Sequence, residues 1–331
     1  MKITADAPGR AGIIGNPTDG YGGSVISCSV KPRARVELAV GGDDLAVTLG
    51  GQTRRFNGGR AEFALADDYF DCVRAVAQFL GIFDFKGEIC IGTEIPLQAG
   101  LAGSTAVLSA LVAAIQGALG VGLSPYHLAE TVRIIELNYL KIQCGYQDQY
   151  MAVFGGLNYM DFRQKENYRT LKQEFFATVE PLKGRVPGLP FIVAHTGIQR
   201  TSGKVLKPIR DRWLEGDALV HTGYKRIAEL ARRGKRAFIE GDWRLLGALM
   251  NENHRIQRDL GASSEANDAL IETALSAGAL GAKLAGAGGG GTIIALAPAG
   301  MEKVKEALVR AGASEFIELE AGDGIRVKVE Q

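Results

Sequence analysis

Residues 96–106 read Pro-Leu-Gln-Ala-Gly-Leu-Ala-Gly-Ser-Thr-Ala and join a strand-like run (86–95) to an apolar, alanine-rich helical run (104–118). This segment limits the fold more than any other, because it fixes a strand–loop–helix unit around clustered glycines. The first N–H groups of a helix have no partner within it, and they sit at the positive end of the helix dipole. A helix that opens this way is a ready anion site, and phosphate is the usual biological anion there. Glycine lets the backbone come close to such a ligand. Ser104 places a hydroxyl at the helix start, where it can cap the helix or reach a metal. A capped turn with no ligand is the competing reading, and this segment alone leaves the choice open.

Composition narrows the function classes. A length of 331 residues suggests two domains of roughly 150 residues each. With 46% hydrophobic residues the chain can bury a full core. A net charge of +1 gives no reason to expect nucleic acid or an anionic membrane as partner. The four cysteines are scattered and the four histidines show no ligand spacing, which argues against a structural zinc site or a disulfide framework. Residues 1–7 are strand-like and polar, unlike a signal peptide, and no apolar run approaches spanning length. The expectation is a reduced, cytoplasmic protein.

Periodicity and turn signals predict strands at 3–7, 24–30, 34–40, 45–49, 86–95 and 157–162 in the first half. Helices are expected at 69–80, 104–120, 124–139 and 147–153. A charged polar stretch near 165 opens the second half. It carries expected strands at 189–195, 292–297 and within 315–329, and helices at 203–214, 221–233, 242–257, 264–277 and 301–311. The elements do not alternate strictly, so the class is α+β.

Two further glycine clusters stand out. Residues 7–23 set Arg10, Asn16, Asp19 and Tyr21 among tight turns, as a ligand wall or a glycine-rich hairpin. Residues 283–291 read Lys-Leu-Ala-Gly-Ala-Gly-Gly-Gly-Gly. Gly286, Gly288 and Gly291 fit G-x-G-x-x-G, but a dinucleotide loop follows a strand and opens a helix. This loop is expected to follow a helix and open a strand, so a backbone wall is the better reading. No G-x-x-x-x-G-K-[ST], H-R-D or D-F-G occurs, which excludes a P-loop protein and a protein kinase.

Taken together, the three clusters resemble the motifs of the galactokinase–homoserine kinase–mevalonate kinase–phosphomevalonate kinase (GHMP) superfamily, in order and over nearly the whole chain. Residues 8–23 resemble its first motif, 96–106 its second (P-x-x-x-G-L-x-x-S) and 283–291 its third. Residues 144–150, Cys-Gly-Tyr-Gln-Asp-Gln-Tyr, are similar to the galactokinase segment that carries the catalytic Asp. The segment Gly-Asn-Pro-Thr-Asp at 15–19 and Ser-Gly-Lys-Val at 202–205 lean towards the glucuronokinase-like branch. Ala285 stands where the third motif usually carries Ser or Thr, and the run at 286–291 looks more like the heptose-7-phosphate kinases.

The resemblance implies a two-domain α+β fold. Its N-terminal domain (1–164) would be ribosomal-protein-S5-domain-2-like and its C-terminal domain (165–331) ferredoxin-like. It implies ATP and Mg2+ as cofactors and a small-molecule sugar as substrate, phosphorylated at the anomeric hydroxyl, with glucuronate the first expectation. Heptose 7-phosphate, galactose, fucose, arabinose and mevalonate are the alternatives, and a non-catalytic sensor is another. Asp148 would be the catalytic base, with Arg10 beside it. Pro96, Gly100, Leu101, Ala102, Gly103, Ser104 and Thr105 would cradle the nucleotide phosphates. Ser104 and Glu136 would hold the metal. Asn16, Asp19, Tyr21, Gly286 and Gly288 would line the substrate site. Arg200, or Lys204, would meet a uronate carboxylate. A monomer or a homodimer is expected.

Overall fold

The protein is described here from a computed structural model, covering residues 1–122, 124–165, 176–198 and 202–330. The strands are β1 (Lys2–Ile14), β2 (Ser24–Val40), β3 (Leu45–Leu49), β4 (Gln52–Phe56), β5 (Gly87–Thr93), β6 (Leu157–Asp161), β7 (Thr178–Pro181), β8 (Phe191–His195), β9 (Gly281–Leu284), β10 (Thr292–Leu296), β11 (Glu315–Ile317) and β12 (Arg326–Glu330). The α-helices are α1 (Asp71–Leu80), α2 (Gly103–Ala118), α3 (Pro125–Ile134), α4 (Gln147–Phe154), α5 (Ser202–Leu214), α6 (Ala218–Glu240), α7 (Trp243–Asp259), α8 (Glu265–Ser276) and α9 (Met301–Arg310). The α+β class holds.

Two sheets organise the chain. The first runs β12-β1-β2-β5-β3-β4, with β6 and β7 branching from β2. Strand β2 is long enough to serve two partners: residues 34–40 pair β5 and residues 24–28 pair β6. Among the described residues only β3 and β5 pair in parallel, and β4 and α1 lie between them in sequence. The second sheet, β11-β8-β10-β9, is antiparallel throughout. Strands β7 and β12, both from the second half of the sequence, extend the first sheet.

Helix α2 is apolar on nearly every face, and the structure buries it accordingly against β1 and β2. Its Ala106, Leu108, Leu111, Val112 and Ile115 join Ile3, Ile13, Ile26 and Val36 in the larger core. A second core packs α6, α8 and α9 on the second sheet. Among the described residues no helix is long and apolar enough to cross a membrane.

The differences from the sequence expectation are local. Strand β1 runs through the first glycine cluster to Ile14, with register shifts at Pro8/Arg10 and Gly12/Ile14 absorbing the irregular backbone. The helix expected over 124–139 stops at Ile134 and continues as one π turn, Ile135–Tyr139. The third cluster follows strand β9 and joins it to β10 as an antiparallel pair, so a strand and not a helix precedes it.

His254 on α7 tests the second core. It is buried beside Asp268 of α8, with Nε2 3.1 Å from the carboxylate. Burial pushes its imidazole down to about 4 from 6.5; Lys283 and Arg258 add to the shift and Asp268 opposes it. The unfolded chain therefore takes up the proton first as pH falls. The stability this group confers is whole above pH 6.5 and drains away towards pH 4, by about 3 kcal/mol. Urea unfolding at pH 7.5 and pH 5 should show about 2 kcal/mol of this loss in the wild type and less in His254→Gln. Equal losses would contradict it.

Candidate active site

Arg10 lies just past the first β1 bulge, and the bulge turns its side chain towards two other segments. Its Nε donates to Asp148 Oδ1 at 2.9 Å, and Nη2 lies 2.7 Å from the same oxygen. Its Nη1 donates to the Gly100 carbonyl at 2.6 Å. The Arg10 side chain is 8% exposed and that of Asp148 32%, so the carboxylate faces solvent while its cation is sheltered. One guanidinium thus joins the first cluster, the second loop and α4.

The second loop is fastened by its carbonyls. Ala99 accepts from Thr292 Oγ1 at 2.7 Å, Gly100 from Arg10, and Leu101 from the Arg10 N–H at 2.9 Å. Ala102 takes a left-handed conformation (φ 61°) and leads into α2, which starts at Gly103 with no side-chain cap. The first-turn N–H groups of Gly103, Ser104 and Thr105 therefore keep their donor capacity, as an anion site requires. Pro96 is part of the turn that leads into this loop.

Ser104 does not cap the helix; its side chain is exposed. Thr105 is the hydroxyl that turns inward, donating to Glu136 Oε1 at 2.7 Å. Glu136 sits in the π turn and is 1% exposed. Gln149 Nε2 bonds its second oxygen, and the Cys144 thiol also reaches it. Burial lifts its carboxyl to about 7 despite these donors, and Asp148 adds to the lift. Extra helical turns of this kind recur at functional sites. The Thr105–Glu136–Gln149 contact escaped the sequence reading; the i, i+1 step from Asp148 to Gln149 was its only signal.

The first and third clusters meet through Asn16. Expected at a substrate wall, it is 2% exposed and spent on the protein itself. Its Nδ2 donates to the Gly286 carbonyl at 2.9 Å, and its Oδ1 accepts from Lys283 Nζ at 2.6 Å. Lys283 is fully buried, and burial holds its amine well below the usual lysine range, with Arg10 adding to the effect. Gly286 backs onto the second loop: a Cβ there would lie 2.5 Å from the Gly100 carbonyl. Gly288 packs against the Ala262 carbonyl.

Asp19, expected to meet a substrate hydroxyl, is 7% exposed, and its Oδ2 accepts from the N–H groups of Tyr146 and Gln147 at the start of α4. Burial raises its carboxyl, against the pull of those N–H groups. Tyr21 packs its ring against Trp213 and Tyr224, with centroids 5.2 and 4.6 Å away. Arg200 lies outside the described residues, and so does the side chain of Lys204. A cavity of about 150 Å³ between α7 and α8, lined by His254, Arg258 and Ile271, involves none of these motif residues.

Residues 68–156 match the model of the GHMP kinases N terminal domain and residues 235–314 that of GHMP kinases C terminal. A mevalonate kinase from Pyrococcus horikoshii is 32% identical over 246 residues, 73% of this chain and 68% of that protein. Glucuronokinase 1 from Arabidopsis thaliana is 32% identical over 221 residues, 64% of this chain and 58% of that protein. In fold, the chain is similar to Lactococcus lactis galactokinase solved with galactose, at a TM-score of 0.80 and 20% identity, covering 98% of this chain and 95% of that one.

The two neighbouring hydroxyls should respond differently to removal. Thr105→Val leaves a buried Glu136 oxygen without its donor and should cost about 1–3 kcal/mol in urea unfolding. Ser104→Ala, at an exposed position, should stay within about 0.5 kcal/mol of wild type. Equal effects would contradict the inward placement of Thr105.

Proposed function

We propose a reaction for a chain that belongs to the GHMP kinases, a family of ATP-dependent small-molecule kinases: transfer of the ATP γ-phosphate to a hydroxyl of a small hydroxylated carboxylate, glucuronate first. The observation that carries this reading is the Arg10 guanidinium, bonded at once to Asp148 and to the Gly100 carbonyl. It sets a carboxylate and an anion-binding loop at the two ends of one fixed cation. Phosphoryl transfer asks mainly for positioning and charge neutralisation.

In this reading Asp148 takes the proton from the acceptor hydroxyl. Arg10 orients that carboxylate and offsets negative charge as the phosphoryl group moves. The loop of Pro96 to Thr105 holds the nucleotide phosphates by its free N–H groups and the α2 dipole. Gly286 keeps the third loop close behind it, and Gly288 seats that loop against Ala262. Residues 1–164 form the nucleotide-holding unit and 165–331 the substrate wall, in a monomer or homodimer.

Glu136 and Ser104 are our candidates to hold a magnesium ion: a carboxylate and a hydroxyl are hard oxygens, and Glu136 is tied to the start of α2 through Thr105, the residue after Ser104. Among the described residues no group of three or more His, Cys, Asp or Glu could hold a metal alone, so nucleotide phosphates would complete the shell. A magnesium ion held there would supply charge neutralisation to the phosphoryl group being transferred.

Support for a carboxylated acceptor comes from the relatives' names, since glucuronate and mevalonate are both hydroxy acids. The glucuronate-like motifs at 15–19 and 202–205 favour the sugar. The Pyrococcus relative, which aligns over more of the chain, favours mevalonate as the second reading. Arg200 is our candidate for the carboxylate on sequence grounds.

ADP release with ATP and magnesium, over glucuronate, galactose, fucose, arabinose, a heptose 7-phosphate and mevalonate, tests the reading. Turnover on glucuronate is expected. Turnover on mevalonate alone would replace the sugar reading, and ATP binding with no turnover would favour a sensor. Asp148→Asn should cut kcat about 1,000-fold while nucleotide affinity changes less than about threefold. Near-normal activity would remove Asp148 as the base.

A further inference from the structure

The peptide group between Gly145 and Tyr146 lies two residues before Asp148, and both of its polar ends are held by buried charged side chains. Its carbonyl accepts from Arg133 Nε at 3.1 Å, and its N–H donates to Asp19 Oδ2 at 2.8 Å. The same Asp19 oxygen accepts from the next N–H, Gln147, at 2.9 Å. Arg133 is 4% exposed and Asp19 7%. Asp19 comes from the first cluster and Arg133 from α3, so the peptide plane is gripped from two elements distant in sequence.

Three further contacts tighten this grip. The Arg133 guanidinium carbon stands 3.8 Å from the centroid of the Tyr146 ring. Lys165 Nζ, itself paired with Glu130 at 2.9 Å, stands 4.6 Å from the same ring. A Cβ on Gly145 would come within 1.9 Å of Asp19 Oδ2, so this carboxylate reaches its two N–H groups only because residue 145 has no side chain.

We propose that Asp19 and Arg133 are positioning residues for phosphoryl transfer, setting the orientation of α4 and so of Asp148 through the 145–146 peptide. The proposal rests on the reading of Asp148 as the base. Asp148 is the second residue of α4, so a rotation of the peptide that feeds the helix swings its carboxylate directly. Arg133 is buried and spent on the Gly145 carbonyl and the Tyr146 ring. The Asp19 oxygen that holds α4 is spent on two backbone donors. Neither needs to touch the acceptor to govern the rate. This assignment differs from a substrate-hydroxyl contact for Asp19, and the two separate kinetically. A contact made equally in ground and transition states moves KM, whereas lost alignment moves kcat.

The test uses Arg133→Met, Arg133→Lys and Asp19→Asn in the full chain, with Asp148→Asn as control, on whichever of glucuronate and mevalonate the wild type phosphorylates. Arg133→Met and Asp19→Asn should lower kcat about 10- to 100-fold, with KM for acceptor and ATP within about twofold. Arg133→Lys, which keeps a donor for the carbonyl, should recover part of the loss. Amide hydrogen exchange in the free protein, which needs no substrate, should be faster at Tyr146 and Gln147 in both disruptive variants. A folded Arg133→Met with wild-type kcat overturns the proposal. So does an Asp19→Asn that raises acceptor KM with kcat intact, or unchanged exchange at 146 and 147. If Arg133→Met does not fold, Asp19→Asn and Arg133→Lys decide by the same readouts. Near-normal Asp148→Asn activity would instead sink the base assignment and leave exchange to judge the grip on α4.

Discussion

The site depends on a single buried cation with three anchor points. Arg10 contributes its backbone N–H to the Leu101 carbonyl, one arm of its guanidinium to the Gly100 carbonyl and another to Asp148. Charge-assisted bonds of this kind are short and directional. Their fixed fork cannot be copied by a lysine, whose ammonium is a point charge. With this residue in place, the distance between α4 and the second loop is no longer free to vary. The remaining buried polar contacts, from Asn16 and Lys283 on one side to Asp19 and Arg133 on the other, hold the two partners of that cation where it can reach both.

Much of the architecture was legible from the sequence, for identifiable reasons. The apolar run of α2 and the capping Ser124 and Pro125 of α3 are local signals, and the elements form where those signals lie. Strands β4, β7 and β9 were missed. Gln52–Phe56 is polar and mostly exposed, and Thr178–Pro181 is too short to show a period. The end of β1 was missed because its pattern of glycine and proline reads as turns, while its pairing comes from β2, whose register shifts accommodate it.

The site was legible by residue type and less so by role. Arg10 joins Asp148 to the second loop, and Glu136 reaches the start of α2 through Thr105. Which side chain would face inward was not written in the motif. The choice between Ser104 and Thr105 depends on where α2 begins, and a left-handed Ala102 starts it one residue before the serine. Asn16 and Asp19 look like exposed polar residues in a glycine-rich turn, yet tertiary packing closes over both. Arg133 gave no signal, since a lone arginine on an amphipathic helix usually faces solvent.

The pairing of β1 with β12 has a consequence for synthesis. Lys2 to Asp6 register against residues 326–330, so one edge of the first sheet lacks its neighbour until some 320 residues later in the chain. During that interval the outer edge of β1 presents unsatisfied backbone groups, the situation that invites pairing with other chains. Contacts so far apart in sequence are also slow to form, because the loop they close must first be ordered. A ribosome carrying this chain thus holds an incomplete first sheet until residues 326–330 have emerged, and chaperone dependence should concentrate there rather than in the second sheet.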